Sequence, residues 1–124
     1  MTAKHRLAAA VVCAISLAPD LARGDADSSA QASGMLTAME GDAHRVALLL
    51  RTARAARRAG PVKCVDAYLS QVDTDVRHGR EDLADLRAAL ATGDAARAKR
   101  AFAWLAARRE AARAASFAAD TCIT

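Results

Sequence analysis

Aromatic side chains are scarce in this chain: two phenylalanines, one tyrosine and one tryptophan are 3% of its 124 residues. A thick sheet sandwich fills its core with aromatic and β-branched residues, so that architecture is excluded. So is a single-stranded nucleic-acid platform, which stacks bases on interleaved aromatics. Only two prolines interrupt the sequence, so long helices can run. No apolar run reaches the roughly 20 residues needed to cross a bilayer. There is no C-x-x-C-H, no C-x-x-C, no phosphate-cradling glycine loop, no carboxylate dyad and no nucleophile–base pair. Their absence argues against haem attachment, thiol redox chemistry, and phosphoryl or acyl transfer.

What is present is alanine. Hydrophobic residues are 53% of the chain, and alanine dominates that figure. Alanine is the best helix former and a poor strand former, so the composition predicts close-packed helices around a thin core. The length suits one small domain.

The first residues read as a signal peptide. A short basic start, "MTAKHR", precedes the apolar "LAAAVVCAISLA", followed by Pro19 and small residues. The run is too short for a membrane span and has the layout of a secretory leader. Small residues place cleavage after Gly24 or Ala26. A lipoprotein reading at Cys13 is disfavoured, because Val12 stands where a small residue is wanted. Removing residues 1–26 takes away Lys4, Arg6, Arg23, Asp20 and Asp25. That leaves 15 basic and 12 acidic residues, a charge of +3. So mild a charge is not the footprint of a nucleic-acid binder.

The remaining chain divides at Gly60-Pro61 and at Thr92-Gly93-Asp94. Residues 27–33, small and polar, read as a flexible lead-in to a helical domain over 34–124. Three helices are expected, at about 35–58, 62–91 and 94–120. In the first, Met39, Ala43, Val46, Leu50 and Ala53 share one face. Gly41-Asp42 is a soft spot where this helix could begin, and Gly60 is placed to end it. In the second, Val62, Val65, Leu69, Val72, Val76, Gly79, Leu83, Leu86 and Leu90 alternate steps of three and four, as in a bundle or coiled-coil seam. Gly79 marks a kink or a close approach by a neighbour. The third, capped by Asp94, lines up Ala98, Phe102, Leu105, Ala112, Ser116 and Ala119, with Arg109 interrupting.

Two tight turns between three helices of similar length predict an all-α, up-down-up antiparallel bundle. Export removes Cys13 and leaves Cys64 and Cys122, an even count in an oxidising compartment. In an antiparallel hairpin, residues equidistant from the turn lie at equal height. The midpoint of 64 and 122 is residue 93, the turn glycine. Cys64 and Cys122 are therefore expected to form a disulfide closing the open end of two arms about 40 Å long. The same rule pairs Leu69 with Phe117 and Asp73 with Arg113. The middle helix is net −2 and each neighbour net +3, which favours these neighbours over alternatives.

The order "KCVDAYLSQVD", a helical hairpin and a near-terminal "TCI" resembles a group of small exported α-helical proteins of Gram-negative bacteria. The resemblance rests on Cys64, Leu69, Ser70, Gln71 and Cys122 and spans roughly residues 60–124. It implies the fold and the disulfide, and carries no activity. Helix one departs from it in its richness in alanine and arginine.

Candidate sites are few. Ser70 and Gln71 suit partner docking, though the plainer reading is a polar helix surface. Asp75, His78 and Asp82 share one face at a spacing that can hold a divalent metal; without a second histidine, a solvated charged face is the plainer reading. His44 reads as a surface residue, and Met35 and Met39 as core rather than haem ligands. Arg51, Arg54, Arg57, Arg58 and Lys63 form a basic end on helix one, and Arg108, Arg109 and Arg113 a cluster on helix three. Either could meet an anion, an anionic lipid or an envelope polymer. Phe102, Trp104 and Phe117 read as packing residues. One stretch resembles a tetratricopeptide helix, but no 34-residue period follows.

These features point to an exported, non-enzymatic structural or interaction module of the cell envelope. It would bind an envelope protein or itself, with no nucleic-acid partner and no cofactor. The alternative is a periplasmic binding protein for an anionic ligand or metal. A small helical enzyme built around Arg109 is a third reading. A seam on helix two that stays partly exposed would mark an interface; one buried within the chain would build the fold.

Overall fold

The structure, a computed structural model, describes the backbone of residues 18–124 and the side chains of residues 24–124. Most of the expected leader, Cys13 included, lies outside the described residues. Three helices follow: α1 (Ala18–Ala55), α2 (Ala59–Thr92) and α3 (Ala95–Asp120). They form the all-α, up-down-up bundle expected from the sequence. α2 packs against both neighbours, most extensively against α3.

The seam on α2 is spent inside the chain. Val65, Val72, Val76, Gly79, Leu83 and Leu86 are buried, while Val62, Leu69 and Leu90 are half-buried. At the last turn Ala89 takes the innermost position instead of Leu90. Gly79 is a close approach, not a kink. A Cβ there would lie 3.1 Å from Met39 Cε, 3.2 Å from Leu105 Cδ1 and 3.4 Å from Leu36 Cδ1. All three helices meet at this point.

α1 differs from expectation at both ends. Residues 27–33 are helical, not a flexible lead-in, and Ala32 is fully buried. The reason is tertiary. Above Gly79 the α2–α3 hairpin continues through Leu86, Leu90, Ala98 and Phe102, and α1 passes beside them at Ser28 and Gln31. Helix formation there covers apolar surface that a loop would leave wet. The helix also runs unbroken through Gly41-Asp42, so Asp42 caps nothing.

The first turn is built around Arg57, not Gly60. Arg57 has φ +54°, in the left-handed region. Its N–H donates to Arg54 O at 3.0 Å, and the Arg58 N–H donates to Ala53 O at 3.3 Å. These two bonds are a Schellman closure of α1. Gly60 and Pro61 instead lie in the first turn of α2. The N–H that proline lacks has no intrahelical partner at such a position. The second turn uses the same closure with a glycine: Gly93 has φ +72°, and the Asp94 N–H donates to Ala89 O at 2.9 Å. Asp94 then caps α3 by accepting from the Arg97 N–H at 3.1 Å.

Cys64 and Cys122 are bonded, with their Cα atoms 5.7 Å apart. The bond ties the start of α2 to the residues just past α3. In the chain-entropy picture a loop of this length contributes about 4 kcal/mol.

The two turns give predictions of opposite sign. Arg57→Gly removes a Cβ from a left-handed position and should stabilise by about 0.5–1 kcal/mol, while Gly93→Ala should cost about 1 kcal/mol. Urea unfolding of the oxidised protein measures both. Equal shifts of the same sign would contradict the closure described.

Candidate interaction surface along α2 and α3

Arginines of α3 reach carboxylates of α2 along one edge of the hairpin. Arg97 pairs with Asp85 through its Nε and Nη2, and Arg108 Nε donates to Asp82 Oδ2 at 2.5 Å. The midpoints of these pairs, 91 and 95, flank the turn at Gly93, as the height rule requires. The Asp85 hydrogen bond, and then its charge, push the Arg97 pKa above its usual value. The expected Asp73–Arg113 partnership is absent from the ion pairs of the described residues; Arg113 lies over Phe117 instead, 5.7 Å from the ring centre.

Arg108 also decides the fate of the candidate metal face. Asp75, His78 and Asp82 do share one face of α2, but the Arg108 guanidinium occupies it. Its Nη1 is 3.4 Å from His78 Nδ1, and its plane lies 5.7 Å from the Trp104 ring centre. The Arg108–Asp82 pair is the least exposed ion pair described, with side chains 24% and 14% exposed. Among the described residues no group of three or more His, Cys, Asp or Glu is placed to hold a metal. Among the described residues Asp75 forms no ion pair. Burial pushes its carboxyl pKa up, and the charges of Arg108 and His78 oppose that rise without cancelling it.

Around these residues the surface is hollowed. A recess of about 410 Å³ is lined by Asp75, Trp104, Ala107, Arg108 and Ala111. It shares Asp75 and Ala111 with a neighbouring recess of about 380 Å³ bounded by Ser70, Gln71 and Thr74. It shares Trp104 with another of about 520 Å³ over Asp82, Asp85 and Arg97. The three run together as a furrow, with Trp104 in its middle and the "LSQ" step at one end. Trp104 is 61% exposed. The expectation that Trp104 and Phe117 are packing residues is therefore corrected: Phe117 is 58% exposed, and only Phe102 is half-buried against the core. On α3 the inward positions go to alanines, and the rings stand on the flanks against guanidinium groups.

A second polar cluster joins α1 to α3. Arg45 Nη1 donates to Ser116 Oγ at 2.7 Å and to Ser116 O at 3.3 Å, and Nη2 pairs with Asp120. The guanidinium also lies 5.6 Å from the Phe117 ring centre. Sequence reasoning missed Arg45. The signal was Ser116, a hydroxyl on an otherwise apolar face, which needs a partner when buried.

The remaining candidates separate. Arg51, Arg54, Arg57, Arg58 and Lys63 are exposed at the stapled end. Arg58 donates to Ile123 O at 3.5 Å. Arg109 is half-buried and meets Glu110 at 4.0 Å. Arg108, Arg109 and Arg113 each have their own neighbours, Asp82, Glu110 and the Phe117 ring. Met39 is core, Met35 half-buried and His44 exposed. No helix of the described residues is long and apolar enough to cross a membrane.

No family model, curated protein or solved structure matches this chain.

Two predictions follow from the clusters. With its folded pKa raised above the unfolded value, protonated Asp75 contributes fully to the fold below the ordinary carboxylate value of 3.8, and that contribution is lost as pH rises through the folded pKa. Asp75→Asn should therefore raise the unfolding midpoint at neutral pH and leave it unchanged below pH 3.8. A midpoint lowered at pH 7 would reverse the assigned sign. Arg45→Met removes a partner of the buried Ser116 hydroxyl and should cost about 1–3 kcal/mol. Combined with Ser116→Ala, the loss should be smaller than the separate losses added, by about 1 kcal/mol. Strict additivity would mean that the Arg45–Ser116 bond contributes nothing.

Proposed function

We propose that this chain is an exported, non-enzymatic structural or interaction module of the cell envelope, docking another envelope protein or a second copy through the furrow around Trp104. Trp104 carries the reading. The chain has one tryptophan, and the fold places it on the surface between recesses rather than in a core short of large side chains. An exposed tryptophan with a guanidinium over its ring, Arg108 on Trp104, joins two residue types enriched at interface centres. Because the α2 seam is consumed by the fold, the contact surface lies on the flank of α3.

Several features support export. The leader-like start and the Cys64–Cys122 bond agree with each other, since such bonds persist where thiols are oxidised. Cleavage after residue 24 or 26 would leave α1 to begin there, with Ala32 and Met39 still in place. The resemblance to small exported helical proteins of Gram-negative bacteria points the same way. The competing reading, a periplasmic binding protein, loses its metal half to Arg108; its anionic half is favoured by the basic end.

A photo-crosslinking residue at Ala107, in the chain expressed in a Gram-negative host, tests the docking reading. One discrete adduct is expected in the envelope fraction, absent when the probe sits at Thr37 on α1. Trp104→Ala should reduce its yield at least tenfold, the scale of losing a central interface aromatic, about 2 kcal/mol. Adducts indifferent to Trp104 or to probe position would sink it. Intact mass with alkylation before and after reduction checks cleavage and the bond in the same fraction.

A further inference from the structure

We propose that the stapled end of the bundle is a docking surface for anionic phospholipid headgroups, reached by Arg51, Arg54, Arg57, Arg58 and Lys63. This surface is separate from the Trp104 furrow and stands or falls independently of it.

The charge at this end is one-sided. No aspartate or glutamate occurs between Asp42 and Asp66, a stretch holding five arginines before Arg58 is passed and Lys63 after it. Arg45 is engaged by Ser116 and Asp120, which also neutralises the last acidic side chain of α3. The other five basic residues are exposed, and none of Arg51, Arg54, Arg57, Arg58 or Lys63 takes part in an ion pair among the described residues. The nearest opposing side chain along the chain is Asp66, about two turns into α2.

Helix electrostatics account for only part of this. A cation in the last turn of a helix is stabilised by the dipole, an effect confined to that turn. Arg54 is the basic residue there. Arg51 lies before it, and Arg57, Arg58 and Lys63 lie beyond. Arg57 is moreover held at φ +54°, where glycine would close α1 at less cost. A guanidinium kept in a strained position is the kind of outlier found at binding surfaces.

Shape and apolar content point to a lipid surface rather than a small anion or a nucleic acid. The recesses of the molecule run along its sides, lined by residues of the furrow and of the opposite end. The stapled end is where α1 ends, α2 begins and the residues after α3 are bonded back. Exposed charges gathered at one end of a bundle can approach a flat anionic plane together. Leu48 is 45% exposed one turn from Arg51, and Val62 and Ile123 are half-buried at the same end. Apolar groups beside arginines whose stems can lie along the interface suit the headgroup boundary. No aromatic is interleaved with these arginines, which disfavours nucleic acid.

Vesicle flotation with the oxidised full chain tests this, comparing phosphatidylglycerol-containing vesicles with pure phosphatidylcholine. The readout is the change in the ratio of the two affinities when the arginines are substituted, because the leader, with Lys4 and Arg6, adds the same contribution to every variant. Binding should favour anionic vesicles and weaken with salt. Each arginine near such a surface is worth roughly fivefold, so Arg51→Gln with Arg54→Gln should reduce the ratio at least about tenfold. Arg57→Gly should lower it roughly fivefold while raising the unfolding midpoint, which separates charge loss from misfolding. Trp104→Ala should leave it unchanged. A ratio near one, or one insensitive to the arginine variants, would overturn the proposal. So would arginine-dependent binding to duplex DNA or dextran sulphate without selective vesicle binding.

Discussion

Leu105 is the only buried side chain larger than serine that α3 gives to the core; its other buried residues are Ala98, Ala101, Ala112, Ala115, Ser116 and Ala119. A helix that presents methyl groups can bury little area, so it must come close to contribute at all. That is why Leu105 and Met39 crowd the position where Gly79 lacks a Cβ. A leucine at residue 79 would force apart the one layer where all three helices share large side chains. The closeness set here propagates outward. It brings the flanks of α2 and α3 within reach of arginine side chains, and it leaves no inward room for Trp104.

With so thin a core, the edges matter for register more than for energy. Pairs as exposed as Arg97–Asp85 and Arg80–Glu40 add little stability, because solvent screens them. Their value lies in position. An alanine face slides easily against another, because one methyl resembles the next. Arg97–Asp85, Arg108–Asp82 and the Cys64–Cys122 bond fix the α2–α3 register at three heights, and Arg45–Ser116 fixes α1 against α3. The disulfide acts mainly on the unfolded chain, the polar contacts on the choice among folded alternatives.

Periodicity and symmetry about a turn were legible in the sequence; tertiary demand was not. The α2 seam could be read because large apolar residues recur without error, and the Cys64–Cys122 bond because both arms could be counted from Gly93. Residues 27–33 read as a lead-in because Asp, Ser and Gln have no strong preference of their own. Only the exposed flank of Leu86, Leu90 and Phe102 makes a helix there worthwhile. Gly60-Pro61 looked like a helix end because both residues commonly serve as one. Arg57 takes the left-handed position instead, and nothing in an arginine announces that. The candidate metal face was found correctly as a face, but its occupant, Arg108, comes from a different helix. The aromatics were misplaced because alanine lies on every side of α3, so its inward direction could not be fixed by pattern alone.

The two surfaces inferred for this molecule are compatible in geometry. Along α3 the residues from Trp104 to Cys122 span about 27 Å at helical rise. With the stapled end against a layer of headgroups, Trp104 would stand about that far out, beyond the roughly 8 Å over which salt screens the surface charge, while the Ser70 end of the furrow would stand only about 9 Å from Cys64. A partner centred on Trp104 would then meet the local charges of Asp82 and Arg108 rather than the field of the membrane. The bond that places Cys122 beside Cys64 holds the basic end at a fixed distance from the furrow. The same staple that supports a thin core therefore also fixes the separation between the two surfaces.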